Sequence, residues 1–117
     1  MGWTKWRKLA KGKEWFNDEF DHEGPCVYEL ALGGPRGGDM EEMYVGETKN
    51  EAKRMQAYAS HGSHNRKVIS SALREGWTLY YRAIACKSKA EAKRKQDSLL
   101  AKFDYPWNIV GQSGDDD

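Results

Sequence analysis

The chain has little of what would mark a secreted, membrane-spanning or fibrous protein. It has two cysteines, Cys26 and Cys86, and they form no CxxC pair. That excludes a disulfide framework and makes a reducing compartment, cytoplasm or nucleus, the expected intracellular location. No run of 18 apolar residues occurs, so no membrane-spanning helix is expected. The segment Met1-Gly2-Trp3-Thr4-Lys5 lacks the apolar core of a secretion signal. Proline occurs three times, at Pro25, Pro35 and Pro106, each where a regular segment starts or stops.

What is present is a charged sequence of 117 residues, enough for one domain with one modest core. The net charge of +1 conceals a division. Residues 14–47 hold ten acids against Arg36, while residues 49–95 hold twelve bases against Glu51, Glu75 and Glu91. A segregated basic half points to a polyanion such as nucleic acid, or simply to solvated helical faces. Residues 1–23 read as a basic and aromatic N-terminal extension. Lys5, Arg7, Lys8, Lys11 and Lys13 alternate there with Trp3, Trp6 and Leu9. Such a segment can grip phosphates and stack on bases, or it can be a short helix or arm whose tryptophans cover a core edge.

The order of elements reads β-β-α-α-β-α, an α+β domain over residues 24–110 with a small three-stranded sheet flanked by helices. Residues 26–32 form a strand between Gly24-Pro25 and Gly33-Gly34-Pro35. Residues 43–46 form a second strand, joined to the first by a wide Gly-rich loop. Thr48-Lys49-Asn50-Glu51 has the form of a capping box and opens a helix to about Ala59, with Ala52, Met55 and Ala59 inward. A second helix carries Val68, Ile69, Ala72 and Leu73 on its core face and stops at Gly76. Residues 77–85 are rich in β-formers. Ser88-Lys89-Ala90-Glu91 caps the last helix, whose apolar face is Ala92, Leu99, Leu100 and Phe103. Residues 111–117 form an acidic tail expected to be disordered.

Gln96 interrupts that last apolar face, one turn from Ala92 and one turn from Leu100. A polar side chain there points toward the sheet, as a structural hydrogen-bonding residue or as part of a site. A zinc site from His61, His64, Cys26 and Cys86 lacks the necessary dense spacing.

These residues fall into a register. Cys26-Val27-Tyr28 and Tyr44-Val45-Gly46 stand on the two hairpin strands, and Arg54 follows Tyr44 by ten residues on the first helix. Tyr58 lies one turn on, and Asn108 lies twelve residues after Gln96. In this register the chain resembles the GIY-YIG nuclease domain family, over residues 24–108. Cys26-Val27-Tyr28 stands for the first signature tripeptide and Tyr44-Val45-Gly46 for the second. A fainter likeness, to the GIY-YIG-like domain of plant effector-of-transcription proteins, lies in residues 24–30 and 103–108.

The resemblance implies a DNA endonuclease that hydrolyses phosphodiesters with Mg2+ or Mn2+. Tyr28 or Tyr44 would activate water, with help from a cation because a free phenol titrates near 10. Arg54 would hold a phosphate oxygen, Tyr58 would bond the phosphate or the water, and Asn108 would brace the site. Lys49, Lys53, His61, His64, Arg66 and Lys67 are the candidate nucleic-acid contacts. The DNA partner would be double-stranded or branched, selected by a fused or separate targeting domain.

Three positions depart from the pattern. Cys26 replaces a glycine, and Glu47 stands where the family often has lysine. Gln96 occupies the place of the metal-binding glutamate and supplies no charge, although magnesium favours charged oxygens. Glu91 is engaged in the capping box, and Asp97 is rotated about 100° away on the helix. The expected protein is therefore an impaired endonuclease that needs a divalent cation only as a Gln96→Glu form. Natural loss of cleavage and deliberate glutamate-to-glutamine replacement both fit. A non-catalytic DNA-binding module and a protein-interaction domain are the alternatives.

Overall fold

The computed structural model describes residues 2–16, 22–34, 40–59 and 65–108. The strand at Cys26–Gly33 (β3) is the centre of the fold and is buried along its whole length. An all-buried strand has helices on both faces, and its alternating side chains serve two cores. Tyr28, Leu30 and Tyr44 pack with Met55, Tyr58 and Ile69. Val27 and Val45 pack with Ala92, Cys86 and Tyr105. Helices α1 (Glu51–Ala59) and α2 (Arg66–Arg74) thus cover one face, and α3 (Lys89–Lys102) covers the other.

The expected hairpin is present. β3 pairs antiparallel with β4 (Glu41–Thr48), in a register that sets Tyr28 opposite Gly46 and Leu30 opposite Tyr44. β5 (Thr78–Ala85) pairs antiparallel along the other edge of β3. The α+β class is as the sequence indicates, but the sheet has five strands rather than three. The additional pair is β1 (Arg7–Lys11) and β2 (Glu14–Trp15), giving the order β2-β1-β5-β3-β4. Their hairpin turns at Gly12-Lys13, with Gly12 at φ +61°, a backbone angle that glycine adopts without strain. β1 pairs with the outer edge of β5, which a three-stranded sheet would leave open.

Local signals decide the helix ends. Ser88 Oγ accepts the Glu91 amide at 3.1 Å, and Glu91 Oε1 in turn accepts the Lys87 amide at 3.0 Å. Gly76, at φ +94°, ends α2 with bonds from Gly76 N to Leu73 O and from Trp77 N to Ala72 O. Those two bonds are the Schellman pattern. At α1 the cap is Asn50, whose Oδ1 accepts the Lys53 amide at 3.0 Å, so the helix starts two residues later than a Thr48 capping box implies. Thr48 Oγ1 instead accepts the Asn50 amide at 3.1 Å.

Two expected core residues face water. Val68 is 42% exposed, because Ile69, Ala72 and Leu73 alone line the inward stripe of α2. Phe103 is 57% exposed, because the chain leaves the helix there and turns extended. It packs edge-on to Tyr105.

A buried carboxylate on β3 joins Arg82 and Tyr105, and Trp3 and Trp6 pack on that arginine. Glu29 Oε1 receives Arg82 Nε at 2.8 Å and lies 2.7 Å from Arg82 Nη2, and Tyr105 Oη donates a short bond to Glu29 Oε2. The Arg82 guanidinium lies 4.4 Å over the Trp3 ring and 4.5 Å from the Trp6 ring centre. Thr4 exchanges two hydrogen bonds with the backbone of Ala83. Removing the carboxylate would leave a partly buried guanidinium and phenol without their acceptor. Glu29→Ala is expected to lower stability by about 3 kcal/mol, read as a lower urea midpoint at unchanged slope.

Candidate functional site

The β3–β4 register and the first turns of α1 bring four of the expected residues together. Tyr28 Oη and Tyr58 Oη lie 2.8 Å apart, sharing a hydrogen bond, with their rings nearly perpendicular. The Tyr28 and Tyr44 ring centres are 6.1 Å apart and tilted by 44°. Arg54 sits one turn before Tyr58 on α1, and its charge is felt at Tyr28. Gly46 makes this convergence possible. A Cβ there would come within 2.7 Å of the Tyr28 ring carbon and hydroxyl and 2.9 Å of the Tyr44 ring.

Burial sets the electrostatics. Tyr28 and Tyr44 are fully buried, Tyr58 nearly so, and Arg54 is half-buried. Desolvation pushes the Tyr28 phenol well above its ordinary pKa of 10, Tyr58 and Tyr44 push it further, and Arg54 opposes the rise only weakly. Tyr28 is therefore held as a neutral hydrogen-bonding phenol in this fold. Arg54 lines a cavity of about 270 Å³ together with Thr48, Lys49, Asn50 and Lys53. Three cations around one pocket, with the amide-rich start of α1 beside it, suit a phosphate.

Asn108 lies in the short 3-10 turn Pro106–Asn108 and acts on the second signature segment. Its Oδ1 accepts Val45 N at 2.8 Å and its Nδ2 donates to Val45 O at 3.0 Å, so one side chain pairs with the edge strand as a neighbouring backbone would. Arg66 and Lys67 lie at the start of α2, in a separate cavity with Ser70 and Arg74. His61 and His64 lie outside the described residues.

Gln96 is fully buried on the α3 side of the sheet, and the tyrosines project from the other side. Its Oε1 accepts Lys93 Nζ at 3.3 Å, and no acceptor for its Nε2 lies among the described residues. The resemblance places a divalent cation at this position, and the residues present do not fit one. The amide oxygen is neutral and already faces an ammonium, and no group of three or more His, Cys, Asp or Glu among the described residues could hold a metal.

Sequence reasoning gave Glu47 as a lost cation but missed its partner. Glu47 is buried on β4, and both its oxygens accept Lys89 Nζ, at 2.8 and 2.9 Å. Lys93 was also missed. The available signal was the spacing of Lys89, Lys93 and Gln96, which puts them on one side of α3.

Fold and site together define a nuclease-type α+β domain. The family model for GIY-YIG domain-containing proteins matches residues 22–115, and the chain belongs to that family. Among solved structures it is similar to a glutamate-to-alanine mutant of bacteriophage T4 EndoII, with a TM-score of 0.60 and 22% identity, over 92% of this chain and 90% of that one. No curated protein matches the sequence significantly. Among the described residues, no helix is long and apolar enough to cross a membrane.

The tyrosine group can be tested in two ways. Gly46→Ala forces the two rings apart and is expected to destabilise by about 1–3 kcal/mol, measured by thermal or urea unfolding. The second test concerns pH. The folded protein holds the Tyr28 proton above pH 10, where the unfolded chain releases it, so the stabilisation is complete below pH 10 and is lost as pH rises beyond it. Burial raises Tyr81 and Tyr105 in the same direction. An absorbance titration at 295 nm should show these phenols ionising only together with alkaline unfolding, and Tyr28→Phe should make that unfolding less steep in pH.

Proposed function

We propose that this chain is a DNA-binding domain of GIY-YIG endonuclease type whose phosphodiester cleavage is impaired by Gln96. The supporting observation is the convergence of Arg54 with Tyr28, Tyr44 and Tyr58 beside a cavity ringed by Lys49 and Lys53. Membership of the family and a fold shared with a phage endonuclease support the same reading. In this reading Arg54 grips a phosphate oxygen of DNA, and Lys49 and Lys53 hold the neighbouring charge. Tyr58 and Tyr28 orient the phosphate or a water as neutral hydrogen-bonding groups, and Asn108 holds the second strand in place. The amide at position 96 offers a divalent cation no charge, and that missing carboxylate is the proposed cause of the impairment.

The ammonium of Lys93 at the Gln96 oxygen favours a second reading, a DNA-binding module that does not cut. The carboxylate that Gln96→Glu restores would meet that ammonium and could pair with it rather than with metal.

The test is nicking of supercoiled plasmid by the present chain, by Gln96→Glu, and by Gln96→Glu combined with Lys93→Met, each with magnesium, with manganese or with chelator. The present chain should bind and barely nick. One of the two glutamate variants should nick in a metal-dependent way, faster by about a hundredfold or more, since losing a metal-held charge removes several kcal/mol of transition-state stabilisation. If both bind plasmid and neither nicks under any divalent cation, the nuclease reading is lost and the binding module stands.

A further inference from the structure

A second cationic surface lies away from the tyrosine group, where the β1–β2 hairpin meets α2. Lys13 occupies the tip of the hairpin turn, and Trp15 lies just beyond it. They line a cavity of about 590 Å³ with Ser70, Leu73 and Arg74. Ser70 and Arg74 also line a neighbouring cavity of about 480 Å³ with Arg66 and Lys67, so the two form one groove. Four cations rim it, and no acid lines it among the described residues. None of Lys13, Arg66, Lys67 and Arg74 makes an ion pair among the described residues.

The floor and the rim differ in chemistry. Leu73 is buried and Trp15 is half-buried, so the deeper part is apolar and aromatic. On α2, Arg66, Ser70 and Arg74 are successive residues four apart, hence on one side of the helix and about 6 Å from one to the next. A row of phosphate-binding groups at that rise matches the phosphates of an extended strand. Duplex DNA shows only its backbone to such a row and has nothing to place on a tryptophan-lined floor. An unpaired strand presents phosphates and free base faces together, which is the combination that cationic grooves with aromatic floors accept. The groove includes Ala59, the residue after Tyr58 on α1, so its inner end abuts the helix that carries Arg54.

We propose that this groove holds a single-stranded nucleic-acid segment, with bases against Trp15 and Leu73 and phosphates on Lys13, Arg74, Arg66 and Lys67. The proposal rests on the DNA-binding reading above and adds to it a preference for duplexes that carry an unpaired tail. It also gives the N-terminal hairpin a role in binding beyond closing the edge of β5.

The experiment is fluorescence anisotropy with the full chain on three labelled probes: a blunt duplex, the same duplex with an oligothymidylate tail, and the oligothymidylate alone. Lys13 and Arg74 are exposed, so Lys13→Glu with Arg74→Glu leaves the core untouched, and circular dichroism checks the fold. The tailed duplex should bind the unaltered chain more tightly than the blunt one. The double variant should lose about tenfold or more on the tailed and single-stranded probes and much less on the blunt duplex. Its salt dependence on single strand should fall by about 0.7 in log–log slope for each phosphate contact removed. Arg54→Ala should show the reverse, losing blunt duplex first, so failure of the groove and failure of the Arg54 site are read separately. Equal weakening on blunt and tailed probes, or none on either, overturns the groove. So does displacement of the tailed probe by polyglutamate as effective as by oligothymidylate, since the groove would then bind charge alone.

Discussion

The register of one antiparallel pair decides what this protein can do. Tyr28 lies opposite Gly46, and that match lets two buried rings cross where any side chain would collide with them. A slip of one residue would send Val27 or Glu29 to the α1 side and the tyrosines to the α3 side. Several independent contacts oppose such a slip. Asn108 pairs with both polar groups of the Val45 backbone. The Glu29 carboxylate can meet Arg82 and Tyr105 only on the α3 side of β3. Glu47 makes the same demand through Lys89. Residues remote from the tyrosine group thus hold it in register, and Gly46 supplies the space.

The division of charge along the sequence takes a different meaning in the fold. Part of the acidic half is not surface at all. Glu29 and Glu47 are buried, and each is neutralised by a base from the basic half, Arg82 and Lys89. These pairs join β3 to β5 and β4 to α3, so the split works as internal complementarity. Bases elsewhere have exposed side chains: Lys49 and Lys53 near Arg54, and Arg66, Lys67 and Arg74 on α2. The surface that can meet a polyanion is therefore more one-sided than the net charge suggests. Burial acts in the opposite sense at Tyr28, where it overrides Arg54 and keeps the phenol protonated.

Strongly local signals were legible in the sequence. The capping exchange at Ser88 and Glu91, the Gly76 stop and the strand at residues 26–32 each need only neighbouring residues, and each is present. Tertiary choices were less legible. Residues 7–15 alternate poorly because Lys8 and Lys11 keep their charges in water while Leu9 and Ala10 both turn inward at a bulge. The open edge of β5, which recruits them, cannot be seen without the sheet. Val68 and Ile69 are equally apolar, and only the position of α2 on the sheet decides which one is buried. For the site, spacing alone put Arg54 and Tyr58 on one helix. The Tyr28–Tyr58 hydrogen bond, the backbone partner of Asn108 and the pairing of Glu47 with Lys89 depend on distances across the fold that spacing does not carry.

Gln96 is the residue that packing does not explain. A fully buried primary amide has two N–H groups to satisfy, and here its nitrogen has no acceptor among the described residues while its oxygen has one donor. Leaving such a group unsatisfied costs about 1–3 kcal/mol relative to an apolar side chain of similar shape. The neighbours Ala92, Leu99 and Leu100 would pack well against leucine, so stability alone favours leucine at this position. A glutamate would meet Lys93 as a charged partner and leave no buried N–H without an acceptor. The polar contact that exists, ammonium to oxygen, is the one that glutamine and glutamate share, whereas the unmet N–H belongs to glutamine alone. The pocket around position 96 is therefore better matched electrostatically to a carboxylate than to the amide that occupies it, and Lys93 is the residue whose charge makes it so.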